Sequence, residues 1–224
     1  MIEFATARRN MVDNQIRPNR VTSPVLLQAM LEVPREIFVS ETERGVAYVD
    51  EDIRLASAPQ GGARWLMEPM VFARLLQAAE IEKSDVVLEV GCGSGYGTAV
   101  LSKLAATVVA VESDPVLAEA ASANLERLRV DNAALITGEL KKGCPAQGPY
   151  GVIVFEGAID RISDEIVAQL AEGGRLVGVL RNGGARMGQA VLALKRGGQL
   201  SRRVLFDAAT PYLPGFTPEP SFVF

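Results

Sequence analysis

The chain has 224 residues, of which 48 % are hydrophobic and 22 % charged, with 23 Lys+Arg against 27 Asp+Glu for a formal charge of −4. That composition supports a packed domain with a sizeable core and argues against a disordered chain or one that grips nucleic acid through its phosphates. With no histidine and only Cys92 and Cys144 as cysteines, His-based triads, His general bases, His/Cys zinc sites and a disulfide framework are excluded.

Residues 1–80 read as helical and irregular. Arg8 and Arg9 stand where a signal peptide would be apolar, and no apolar run approaches the ~20 residues of a bilayer span. The expectation is a cytoplasmic protein without a membrane partner. Residues 4–16 suit a helix with Phe4, Ala7, Met11 and Val12 on one side. Ser23-Pro24 starts the next helix, a Ser cap followed by Pro at the first helical position. Val25, Leu26, Ala29, Met30 and Val33 continue it at helical spacing until Pro34. Residues 55–63 read as loop, and Glu68-Pro69 opens a helix striped by Val71, Phe72, Leu75, Leu76 and Ala79.

From residue 85 the rhythm becomes strand then helix: strands at 85–90, 107–111, 133–137, 152–155 and 175–180, helices at 94–104, 115–128 and 163–171, and two last strands at 189–195 and 202–206. This predicts an α/β fold, a doubly wound, mostly parallel sheet with helices on both faces, preceded by an N-terminal helical segment. We expect one domain over 1–224: a helical cap over 1–80, an α/β core over 81–207, and a Pro-rich tail over 208–224.

The most informative segment is Glu89-Val90-Gly91-Cys92-Gly93-Ser94-Gly95-Tyr96, between the first core strand and the helix after it. A dinucleotide site wants G-x-G-x-x-G, which fails here in every register, and no G-K-[ST] is present. The pattern E-x-G-x-G-x-G resembles the glycine loop of class I methyltransferases, which bind S-adenosylmethionine. That ligand presents a sulfonium, an amino-acid end, a ribose and an adenine, so carboxylates should accompany the close backbone. Glu112 ends the second core strand, 21 residues past Gly91, and suits the ribose hydroxyls. Glu139, after the third strand, suits the adenine amino group. The expected cofactor site is Glu89, Gly91, Cys92, Gly93, Gly95, Glu112 and Glu139, with no metal.

Over residues 11–195 the chain resembles the protein-L-isoaspartate O-methyltransferase family. The resemblance rests on Met11-Val12 with Gln15-Ile16, Val25-Leu26 with Ala29-Met30, Val33-Pro34-Arg35-Glu36 with Phe38-Val39, Ala47-Tyr48 with Asp50, the glycine loop with Ala99-Val100-Leu101, Pro149-Tyr150, and Gln169-Leu170 with Gly173-Gly174 and Leu176-Val177. It implies methyl ester formation on the α-carboxylate of L-isoaspartyl residues in damaged proteins, with S-adenosylmethionine as donor and S-adenosylhomocysteine as product. An isoaspartyl protein or peptide is then the partner, with an unidentified small molecule as the alternative, in a monomer or homodimer.

Departures from the family cluster on the substrate side. Where the family has Gln-Thr-Ile-Ser-Gln-Pro, this chain has Arg64-Trp65-Leu66-Met67-Glu68-Pro69. Two hydroxyl donors become apolar, so Arg64 or Arg54 would have to replace them. Glu156 stands at a strand end that faces the methyl group in this fold, where it would repel an anionic nucleophile or orient a hydroxyl or amine. Met67 and Glu156 are the catalytic candidates, and Arg64, Trp65 and Glu68 the substrate-side ones. Blander assignments are core packing for Trp65 and Met67, and solvent or Arg161 for Glu156. Two further readings stand beside the family one: a different substrate on the same scaffold, and a cofactor-binding homologue without catalysis.

Overall fold

The computed structural model describes residues 3–56, 62–183 and 185–218. The tail residues 219–224 and the loop residues 57–61 named above lie outside them. Helix α1 (Phe4–Met11) runs into a π-helical turn at Val12–Ile16, where an uninterrupted α-helix was expected. The wider turn lets Met11, Val12 and Ile16 all bury.

Caps set the later helices. Ser23 accepts from the Leu26 N–H at 3.4 Å to start α2 (Pro24–Glu32), and Asp114 accepts from Val116 and Leu117 to start α5 (Pro115–Arg127). Helix α3 (Pro69–Ala79) has no side-chain cap of its own. Asp52 and Asp50 accept instead from the backbone N–H groups of Glu68 (2.9 Å) and Met70 (3.1 Å). Helices α4 (Tyr96–Ser102) and α6 (Asp164–Gln169) complete the set.

Two short strands, β1 (Ile53–Leu55) and β2 (Arg64–Leu66), pair antiparallel, with Arg54 opposite Trp65. The sequence reading placed residue 55 in loop, because three residues are too few to show an alternating pattern. The main sheet contains β3 (Val86–Val90), β4 (Thr107–Glu112), β5 (Ala133–Thr137), β6 (Tyr150–Ile159), β7 (Leu170–Leu180), β8 (Gly188–Arg196) and β9 (Gln199–Ala208). Their order is β5-β4-β3-β6-β7-β8-β9. Strands β3 to β7 pair parallel, and β8 and β9 close the far edge as an antiparallel meander.

Alternation along the strands builds two cores. Val87, Val108, Val152, Val154 and Val177 face one side, and Leu88, Val90, Val109, Ile153, Phe155 and Leu176 face the other. Both faces are therefore dry and apolar, as a parallel sheet between helices requires. Strand β6 extends four residues beyond the expected Phe155. Glu156 and Gly157 broke the apolar run in the sequence, yet both are buried.

The sheet thus matches the expected doubly wound, mostly parallel class. Among the described residues, no helix is long and apolar enough to cross a membrane.

Candidate active site

The glycine loop leaves β3 at the carboxyl edge of the sheet. Gly91, Gly93 and Gly95 have φ of 84°, 56° and 93°, in the left-handed region that side chains disfavour. The turn is fixed by Gly91 N–H donating to Val111 O (2.8 Å) and Gly95 N–H to Cys92 O (2.9 Å). Gly95 also brings α4 against α5, since a Cβ there would stand 3.1 Å from the Ala121 Cβ. Cys92 is buried between the glycines, and burial pushes its thiol pKa up.

Glu112 ends β4 beneath this loop and is fully buried. Its Oε2 accepts from Gly93 N–H (2.7 Å), and its Oε1 from Ser113 N–H (2.8 Å) and Asp114 N–H (3.1 Å). Arg64 of β2 completes the set, donating Nη2 to Oε2 (2.9 Å) and Nε to Oε1 (3.3 Å), and Nη2 also to Gly91 O (2.6 Å). Arg64 was expected beside the reacting carboxylate; the structure seats it on the carboxylate expected for the ribose. Arg54, opposite Trp65 in the arm, is exposed.

A pair of carboxylates, Glu89 and Glu156, lies between β3, β6 and α4. Thr98 donates to Glu89 Oε2 at 2.5 Å. A Cβ on Gly97 would stand 1.6 Å from Glu156 Oε1 and 2.2 Å from Glu89 Oε1, so the two oxygens converge on the space that glycine leaves open. Among the described residues neither oxygen has a hydrogen-bond partner. Burial, first, and the facing Glu89, second, raise the Glu156 pKa well above the carboxylate range, and burial also raises that of Glu89. Of the two, Glu156 is the one that burial and the facing carboxylate push furthest toward the neutral form. The solvent and Arg161 assignments for Glu156 both fail. Glu156 is 4 % exposed, and Arg161 lies out in solvent beside Asp160.

The arm residues divide. The Met67 side chain is buried in the core, and its carbonyl accepts from Arg35 Nη2 at 2.6 Å. Trp65 is partly exposed. Glu68, at the head of α3, is raised to about 7, chiefly by burial and then by Asp52, Asp50 and Glu51. Glu139 stands apart in solvent, paired with Lys142 at 2.8 Å, on the rim of a cavity of about 780 Å³ that also includes Gly143, Pro149 and Gln169.

Three residues were missed as parts of this site. Arg35 is fully buried, donates to Ala47 O (2.8 Å) as well as Met67 O, and lies 4.7 Å from the centre of the Tyr96 ring. Thr98 orients Glu89 from one turn inside α4. Leu213 of the tail lies across the loop, its Cδ2 2.6 Å from where a Gly91 Cβ would stand. The Val-Pro-Arg-Glu run was a signal for Arg35; nothing local marked Leu213.

Comparison with known proteins places this architecture. The family model described as "Protein-L-isoaspartate(D-aspartate) O-methyltransferase (PCMT)" matches residues 6–214. A protein-L-isoaspartate O-methyltransferase of Koribacter versatilis is 36 % identical over 204 residues, covering 91 % of this chain and 89 % of that relative. One from Methanoculleus marisnigri is 38 % identical over 170 residues, 76 % of this chain and 75 % of the relative. A solved protein-L-isoaspartate O-methyltransferase superposes with a TM-score of 0.84 at 25 % identity, over 94 % of this chain and 67 % of that one. A putative Plasmodium falciparum one, in complex with S-adenosyl-L-homocysteine, shares the fold at TM-score 0.77 and 18 % identity, over 95 % of this chain and 99 % of that one. The chain belongs to the protein-L-isoaspartate O-methyltransferase family.

Proposed function

We propose that the chain uses S-adenosylmethionine to methylate the α-carboxylate of L-isoaspartyl residues in proteins. Family membership supports the substrate class. The observation that carries the cofactor is Glu112, buried at the end of β4 with Gly93, Ser113 and Asp114 N–H groups on its oxygens, under a loop of three left-handed glycines. Those residue types fit the group: a carboxylate for a diol, and glycines for close backbone approach. Glu89, Gly91, Cys92, Gly93, Gly95, Glu112 and Glu139 would hold it. When bound, it supplies an electrophilic methyl group to an attacking oxygen.

The rest of the work is positioning. A carboxylate is ionised at neutral pH and attacks without a general base, so a chain without histidine is competent for this chemistry. Glu156 is no obstacle to an anionic nucleophile. Burial and the facing Glu89 push its carboxyl toward the neutral form, which lowers the repulsion an anionic nucleophile would meet. Met67 lies in the core, so of the arm residues Trp65 and Glu68 are left to face a substrate.

The test mixes the protein with methyl-labelled S-adenosylmethionine and two matched peptides, one isoaspartyl and one aspartyl. Base-labile methyl ester on the isoaspartyl peptide alone is expected. Confirmed cofactor binding with no ester on either peptide would overturn the substrate assignment.

A further inference from the structure

Resting on that cofactor reading, the geometry points to an intramolecular occupant: Arg64 and the tail strap Pro211–Phe216 fill the cofactor cleft, and S-adenosylmethionine enters only as they leave. The strap is anchored as an extra piece of sheet. Ala158 N–H of β6 donates to Pro211 O and Leu213 N–H donates to Ala158 O, both at 2.8 Å. Tyr212 OH donates to Arg181 O at 2.7 Å. Phe216 packs edge-on against Phe155, ring centres 5.7 Å apart, at 2 % exposure.

Between these anchors Leu213 descends onto the loop. Its Cδ2 lies 2.6 Å from the Cβ position of Gly91 and 2.8 Å from that of Gly157. Leu55 of β1 closes on Gly93 in the same way, at 2.8 Å. The glycines keep the backbone bare for close approach, and the groups that approach are this chain's own side chains. Arg64 takes the remaining place. A ribose diol needs the two Glu112 oxygens that Arg64 already bonds, and a cationic sulfonium gains nothing from a guanidinium in the same dry cleft. The three backbone donors to Glu112 can stay; Arg64 and Leu213 cannot. The measured affinity is therefore the intrinsic one reduced by the fraction of molecules with the strap open.

The experiment titrates S-adenosylhomocysteine calorimetrically into the unmodified chain, Tyr212→Phe and Leu213→Ala. Amide hydrogen exchange across residues 208–216 is followed on the unmodified chain at saturating ligand. Tyr212→Phe loosens an anchor outside the cleft and keeps the core intact. Leu213→Ala removes the side chain in contact with the loop, and a cooperative melt verifies that it folds. Leu213→Ala should bind about tenfold or more tightly and Tyr212→Phe severalfold, while ligand accelerates exchange at the Leu213 amide as its bond to Ala158 breaks. Binding by all three with the variants tighter, or binding by a variant alone, supports the inference; binding by the unmodified chain alone would overturn it. Equal affinities with an equally or better protected Leu213 amide would overturn the strap as occupant and leave the cofactor reading intact. No binding by any of the three folded proteins would overturn both.

Discussion

The site holds two buried carboxylate clusters, and they solve the same problem differently. Glu112 is met by a cation, Arg64, plus three backbone N–H groups. Among the described residues no cation is bonded to Glu89 or Glu156; Thr98 donates to Glu89, and burial with the facing carboxylate pushes Glu156 toward the neutral form. A buried ion is tolerated only when its field is answered nearby. The first cluster is answered from a separate element, the β1–β2 arm, and so depends on that arm staying in place. The second is answered within the sheet and α4, and so depends on pH.

The largest expected effect breaks the first cluster. Arg64→Met leaves Glu112 buried with no cation, which should cost about 3–5 kcal/mol in urea unfolding. Adding Glu112→Gln to it should recover part of that loss, because the uncompensated charge goes and the amide oxygen can still accept from Ser113 and Asp114 N–H, while Gly93 N–H loses its acceptor. A loss below about 1 kcal/mol for Arg64→Met would mean the ion pair is not what settles this region.

The second cluster breaks sterically and by titration. Gly97→Ala drives a methyl onto Glu156 Oε1 and should cost about 1–3 kcal/mol. Combining it with Glu156→Ala should cost less than the sum of the two, and additivity in that cycle would sink the contact. Glu156→Gln reads the proton. A carboxyl with a raised native pKa binds more protons folded than unfolded once the pH passes the ordinary carboxylate value. Wild-type stability therefore falls as pH rises through that window, by up to about 1.4 kcal/mol per pH unit for one proton. Glu156→Gln lacks this loss, so it should gain on wild type between pH 5 and 8. Parallel stability curves over that range would show that Glu156 is ionised in the fold.

These differences also explain what the sequence could and could not tell. The glycine loop, Glu112 and the strand–helix rhythm are local patterns, and local patterns are visible. Arg64 meeting Glu112 spans 48 residues, and Leu213 reaching Gly91 spans the core of the chain; neither has a periodicity to betray it. Glu156 was legible as an oddity at a strand end, but what raises its pKa, burial first and Glu89 in a neighbouring strand second, is set by the fold. For Met67 the sequence left two readings, a catalytic candidate or core packing, and its buried side chain lies in the core cluster.

The smallest expected effect comes from Glu139, the one carboxylate of the proposed cofactor site that is exposed. Glu139 sits in solvent with Lys142 as an i,i+3 partner, an arrangement that screening leaves with little weight in folding. Glu139→Gln should leave the melting temperature unchanged, unlike either buried cluster. Its role, if the adenine amino group is its partner, is a hydrogen bond made only with ligand present. Replacing the acceptor by an amide that must rotate to present its oxygen should weaken S-adenosylhomocysteine by about three- to tenfold. Adenine specificity, measured as the affinity ratio to the inosine analogue, should narrow with it, because a lost acceptor matters only to a ligand that offers the donor. Weakening of both ligands alike would place Glu139 away from the adenine and make it a general electrostatic contribution at the rim.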